Sequence, residues 1–450
     1  MDVTQIKPID TGRGIKSIKS SSLCAIYAFL LTIAACVIGS RGSSSLMLII
    51  TALFAPLILM PEALLCPILF FSIFDDYLLA GSGASCSRFI AIFFILGAAL
   101  SILQRGSIKN TTLYFLLLLA FGIVLSFYTT YDKPAVPITY ILNMALTIAM
   151  VNYSNVSVED VVKQFYLYAI LALAFLYFMF IKNGFDSLVE GYRMSIAENV
   201  NSNDLAMGVA IVMTTLVSDS LLHKKHVLFN IFLIAANVVA LFLTGSRTAL
   251  IAAVAATLLL FVINAKDNHS KRNAFLLLII SSVSLLLIYN FLQKQFPVLM
   301  ERFTVESVEE SGGTGRLDVW KNYFTHFFPK YWLLGMGYAP NNLFYALRSI
   351  NVEAHGAHNI VVEALSRSGV VGLILYTICF VKFFRVTTKN LSKNRFLILP
   401  IAIVMTILIN GIGENTLGSR FTWFGIGLGY MFLYSTNKDA VKFSGGDSNV

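Results

Sequence analysis

The feature that most constrains this chain is a succession of fourteen apolar runs, from 22–39 to 418–435, separated by short polar segments. A helix needs about 20 apolar residues to cross the hydrocarbon core of a bilayer, so runs of this length in this number point to repeated crossing. Hydrophobic residues make up 57% of the 450 and charged residues 13%, against roughly 45–50% and 25% in soluble domains. A soluble globular protein is excluded, and so is a disordered chain, which needs low hydrophobicity. Ten prolines without a repeat exclude a fibrous one. The fold class read from the sequence is an all-α polytopic integral membrane protein with 12–14 transmembrane helices. The count is a range because several runs are short, and because 44–60 and 63–80, separated by Pro61-Glu62, are either two spans or one re-entrant pair.

Orientation follows from Lys and Arg in the connecting segments. With the N-terminus in the cytoplasm, nineteen fall on the inner side and seven in the short outer loops. This asymmetry places both termini inside and absorbs most of the net charge of +9 without any nucleic-acid partner. The chain then divides into a cytoplasmic tail (1–21), a bundle of about eleven spans (22–291), a long outer loop domain (292–358), further spans (359–435) and a second cytoplasmic tail (436–450). The outer loop is too long for a linker. It carries two aromatic-rich stretches, Leu317–Phe328 and Tyr338–Leu347, separated by Pro329 and the Gly335-Met336-Gly337 turn, and is read as short helices forming a lid or a substrate platform. Cys24, Cys36, Cys66, Cys86 and Cys379 lie in or beside apolar runs without metal spacing and are read as small core residues.

Three polar features gather on the outer side. Thr244-Gly245-Ser246-Arg247 turns between two spans and opens a helix with Arg247 in its first turn. A cation is poorly placed at a helix N-terminus. Arg247 is therefore either an interfacial arginine snorkelling to headgroups or an anion clamp acting with the backbone N–H groups of the turn. Gly312-Gly313-Thr314-Gly315-Arg316 opens a second helix that continues through Trp320 and Tyr323. Arg316 is either a ligand-binding cation or the partner of Asp318, Glu309 or Glu310. His355-Gly356-Ala357-His358-Asn359 leads into an apolar run, and the positive end of the helix dipole there favours a neutral His358 able to accept a hydroxyl proton. A capping or interfacial histidine is the plain alternative. A zinc site at His355 and His358 lacks acidic or thiol company.

Other charges have two readings each. Glu363 and Arg367 are four residues apart, which puts them on one helical face where they can neutralise each other. Asp75-Asp76 is a proton or cation site, or marks its run as re-entrant or interfacial. Asn201-Ser202-Asn203-Asp204, the preceding Arg193, and Glu414 with Arg420 are placed to line one outer cavity with the three features above.

Together, TGSRTAL after a span, the later GRLDVW followed by a proline and the GMG turn, and then AHNIVVEALSRSGVVGLILY resemble the O-antigen ligase and polymerase superfamily of bacterial envelope enzymes. The resemblance covers about 200 residues, from NSNDLA at 201 to roughly 376. It implies a GT-C-like, metal-independent glycosyltransferase of the inner membrane, active at its periplasmic face on an undecaprenyl-pyrophosphate-linked glycan, with no cofactor. Arg247 and Arg316 match the arginines that hold the donor pyrophosphate, and His358 the histidine at the acceptor hydroxyl, as general base or as its positioner. His355, Asn359, Arg193 and Asn203 are the further substrate-binding candidates, and His355 competes with His358 for its role. Polymerisation of O-antigen or capsule-type repeats, with a chain-length regulator as partner, is the leading reading; ligation to lipid A core is the alternative. A lipid-linked oligosaccharide transporter is the rival class. It would be expected to keep its polar groups at mid-membrane, whereas here they collect at the outer ends of spans.

Overall fold

The computed structural model describes residues 13–79, 85–133, 137–183, 201–223, 227–264, 286–304, 315–339, 341–352 and 356–435. Among these residues every regular element is helical. The helices are α1 (Arg13–Gly39), α2 (Ser44–Ala52), α3 (Leu65–Leu78), α4 (Cys86–Arg105), α5 (Thr111–Phe127), α6 (Ile138–Asn152), α7 (Val158–Asn183), α8 (Ser202–Leu222), α9 (Val227–Leu243) and α10 (Arg247–Asn264). They continue with α11 (Pro297–Glu301), α12 (Arg316–Asn322), α13 (Phe328–Tyr331), α14 (Asn342–Arg348), α15 (Ile360–Asn390), α16 (Ile398–Asn410) and α17 (Arg420–Ser435). Six of them, α1, α4, α7, α8, α10 and α15, are long and apolar enough to cross a membrane, and five further apolar helices are shorter. The chain is a polytopic helical membrane protein. The expected span over 274–291 lies mostly outside the described residues.

Helix ends follow local chemistry. Ser85 caps α4 by accepting from the Arg88 N–H, and Gly106 ends that helix in the left-handed conformation. The 44–78 stretch is a pair of short helices joined by 3-10 turns at Ala55–Leu59 and Pro61–Leu64. At 1.5 Å per residue the 14 residues of α3 reach about 21 Å, short of a bilayer core of roughly 30 Å, which fits the re-entrant reading. The break nests against α4 at Gly97, where a β-carbon would stand 2.2 Å from the Ile58 carbonyl oxygen.

Helix α8 is the centre of the bundle, with 83% of its span buried, and it packs against α7, α9, α10 and α16. A second cluster joins α5, α6, α15 and α17 around Trp423, Tyr376 and Phe383. The third belongs to the 316–365 region: Tyr323, Phe327, Tyr331, Met336 and Leu347 pack with Val362 and Leu365 of α15. The aromatic stretches expected as short helices are α12 to α14, with a π-helical turn at Tyr323–Phe327.

The apolar run at 359–382, expected as one continuous span, is broken. At Gly369 the backbone of α15 leaves helical geometry (φ 61°, ψ −164°). The Trp332–Gly337 turn enters the gap. Met336 and Gly337 donate to the Ser366 and Arg367 carbonyls, while Val370 and Val371 donate to those of Trp332 and Leu333. A helix break leaves backbone groups without partners, and this turn supplies them. Gly369 is required at the crossing, because a β-carbon there would lie 2.3 Å from the Leu333 backbone.

Candidate functional site

Arg247 is the first residue of α10, reached through Thr244 and a left-handed Gly245 (φ 63°), as the sequence predicts. Arg316 is the first residue of α12, preceded by a left-handed Gly315 (φ 75°). The two helix starts approach each other across Gly413. The position its β-carbon would occupy is 2.3 Å from Thr248 Cγ2 and 3.0 Å from Arg316 Nη1, so any larger residue would push them apart.

Among the described residues Arg316 pairs with no neighbour in sequence, and Glu309 and Glu310 lie outside them. Arg316 Nη2 donates to Glu414 Oε1 at 2.8 Å, and the other oxygen of Glu414 lies 3.0 Å from His358 Nδ1. Only 10% of the Glu414 side chain is exposed. A carboxylate accepting at Nδ1 puts the proton of a neutral imidazole on that nitrogen and leaves the lone pair on Nε2. Among the described residues nothing hydrogen-bonds Nε2, which lies next to Gly356.

His358 lies at the start of α15, where the sequence places it, one residue before the cap. Asn359 is the N-cap of α15, its side-chain oxygen accepting from Val361 and Val362, and its Nδ2 donates to the Ile412 carbonyl. His358 itself has a left-handed backbone (φ 44°), uncommon for a residue other than glycine, which turns its ring toward Glu414 rather than along the helix. The Trp320 indole donates to the Ala357 carbonyl at 2.7 Å and ties α12 to the segment carrying His358. The site is thus drawn from four separated stretches: 244–248, 315–320, 356–359 and 411–416.

The turn from 411 to 419 is held at many points. Ile360 donates to the Gly411 carbonyl, Leu417 donates to Glu363 Oε2, and Asn143 donates to the Gly418 carbonyl. Glu363 is ion-paired to Arg367 at 3.1 Å, as their spacing predicts. Arg420, placed by the sequence near the site, instead pairs with Asp75 at 3.3 Å. Asp75 also accepts from Ser85 Oγ, Ser87 N and Ser87 Oγ. Its carboxylate fastens α3 and the start of α4 to α17.

Of the other expected residues, Asn203 stands in the first turn of α8 behind the Asn201 cap. The amide of Asn359 is engaged in capping and tethering. Arg193 and His355 lie outside the described residues. Sequence reasoning gave Glu414 only a place near the cavity, without a partner, and passed over Arg302 altogether. Arg302 follows α11, and its charge and that of Arg316 both act on the Arg247 guanidinium.

Residues 231–377, which hold Arg247, Arg316 and His358, match the family described as O-antigen ligase. No curated protein and no solved structure matches the chain.

Proposed function

Because it carries an O-antigen ligase domain, the chain belongs to the O-antigen ligase and polymerase superfamily, and from that premise we propose that it is a glycosyltransferase acting on a lipid-linked glycan. The donor is an undecaprenyl-pyrophosphate-linked glycan and the site faces the periplasm from the inner membrane. The observation that carries this reading is Glu414 held between Arg316 and His358, beside the start of α10 where Arg247 stands.

The residues divide the work. Arg247 and Arg316 grip the donor pyrophosphate, and Arg316 is oriented by Glu414. His358, its Nδ1 proton directed at Glu414, presents Nε2 to the acceptor hydroxyl and takes up its proton as the hydroxyl attacks the anomeric carbon. The bond from that carbon to the phosphate oxygen breaks, its electron pair stays on the phosphate, and the arginines stabilise the new charge. A single displacement inverts the anomeric centre. Two guanidiniums placed at the leaving group can supply this stabilisation without a divalent ion.

Polymerisation of O-antigen or capsule-type repeat units is the reading we favour, with ligation to lipid A core as the alternative; both use the same donor chemistry. The test is transfer in proteoliposomes with a lipid-diphosphate glycan donor and no added divalent ion. Glycan growing on lipid diphosphate indicates a polymerase, and glycan appearing on lipid A core a ligase. Strict dependence on a metal, or no transfer to either acceptor, overturns the mechanism. Labelling of an exposed Lys330→Cys variant in intact spheroplasts by an impermeant reagent tests the sidedness; labelling only after permeabilisation reverses it.

A further inference from the structure

The arginine that sequence reading passed over lies within electrostatic reach of Arg247 and has no partner among the described residues that would explain it. Arg302 closes α11, a short helix whose Leu299 and Met300 are fully buried in the main core. The next residue, Phe303, packs edge-on against Phe242 at 5.3 Å, one helical turn before the Thr244–Arg247 corner. This contact fixes Arg302 against the end of α9, from which Arg247 emerges. Among the described residues no carboxylate pairs with Arg302, and its Nε is buried without a hydrogen-bond partner. The charge of Arg302 bears on Arg247 together with that of Arg316.

We propose that Arg302 is a third anion-binding residue of this site, and that it serves the charge created by the reaction more than the charge that arrives with the donor. The inference rests on the glycosyltransferase reading given above. A donor diphosphate esterified at both ends carries one negative charge on each phosphoryl group. When the anomeric carbon–oxygen bond breaks, the oxygen keeps the electron pair and the terminal phosphate gains a further charge, which persists at neutral pH because its second ionisation lies near about pH 6. Meanwhile the proton of the acceptor hydroxyl passes to His358 Nε2. Arg316 is already paired to Glu414, and Arg302, which no carboxylate among the described residues pairs, supplies positive charge for the new one. A contact that strengthens only as the bond breaks raises kcat and leaves donor binding little altered.

The experiment compares wild type, Arg302→Gln and Arg302→Lys in proteoliposomes, measuring transfer from the lipid-diphosphate donor and inhibition by undecaprenyl diphosphate and undecaprenyl monophosphate. Arg302→Gln is expected to lower kcat by about 10- to 100-fold with donor KM nearly unchanged. It should also narrow the preference for the diphosphate inhibitor over the monophosphate, and Arg302→Lys should restore part of both. An unchanged kcat and inhibitor preference in Arg302→Gln overturns the proposal. So does a loss that Arg302→Lys fails to restore while the inhibitor preference stays at the wild-type value, because that marks a packing role. Should wild type itself fail to use the lipid-diphosphate donor, the glycosyltransferase reading falls, an outcome separate from either of these.

Discussion

Glu363 and Glu414 are both buried carboxylates, both ion-paired to an arginine, and both part of the contacts of the same 411–419 turn. Their surroundings differ. Glu363 holds Arg367 one helical turn away and accepts the Leu417 N–H, so one anion meets one cation inside a closed backbone contact. Glu414 holds an arginine 98 residues away in sequence and a histidine whose second nitrogen is left open. The start of α10, which carries Arg247, lies beside it. Buried charge alone does not distinguish a site from a brace, since a membrane protein pairs its charges wherever it buries them. A histidine nitrogen left open beside the pair does.

The sharpest way to test that contrast is His358→Ala. Loss of a general base lowers turnover by about 10²–10⁴-fold, and the protein should remain in the membrane at normal abundance. Wild-type turnover in this variant would remove the base assignment. Substantial activity in His358→Gln would reduce the ring to a positioner, because an amide accepts a hydrogen bond without taking up a proton.

Next in size are Arg247→Lys and Arg316→Lys. An ammonium lacks the planar fork that grips two phosphate oxygens, so each is expected to cost about 2–4 kcal/mol in the barrier, on the order of 30- to 1,000-fold in rate. Full glycan assembly by both variants at normal expression would return them to snorkelling or structural roles. Glu414→Gln should be milder, lowering turnover about 10- to 100-fold, because an amide still accepts from Nδ1 but no longer balances Arg316.

Glu363→Gln completes the series with the smallest effect on chemistry. Turnover per folded molecule should match wild type, while stability falls by about 1–3 kcal/mol, a range discounted for the partly exposed Arg367. Thermal denaturation in detergent together with specific activity would show it. Lost turnover at undiminished stability would erase the distinction between the two carboxylates.

Much of this architecture is legible in the sequence, since apolar runs separated by charged loops have few alternatives in a bilayer. Arg247 and Arg316 at helix starts are legible too, because a glycine-rich turn before a periodic segment is a local signal. The partners are not. Nothing in GIGENTLGSR indicates that its glutamate reaches back to His358, and Arg302 sits in an unremarked Glu-Arg-Phe step. Arg193 lies outside the described residues, and Asn203 stands in the first turn of α8. The break at Gly369 is hidden for a physical reason: its unpaired backbone groups are satisfied by a turn more than thirty residues upstream, so the local run keeps the composition of an uninterrupted span.

That turn also bears on how the region behaves in time. Four backbone hydrogen bonds join 332–337 to the two sides of the broken helix, and the Tyr338 N–H donates to the Leu125 carbonyl beyond them. Lifting the turn would strand donors and acceptors on both partners at once, at about 1–3 kcal/mol for each buried group left unmet. In hydrogen–deuterium exchange, the amides of Met336, Val370 and Val371 should therefore be protected together and released together, as one cooperative unit with the first half of α15. A segment that looks like a lid would then behave as a fixed ceiling, and a lipid-tailed donor would have to enter from the side, through the bilayer.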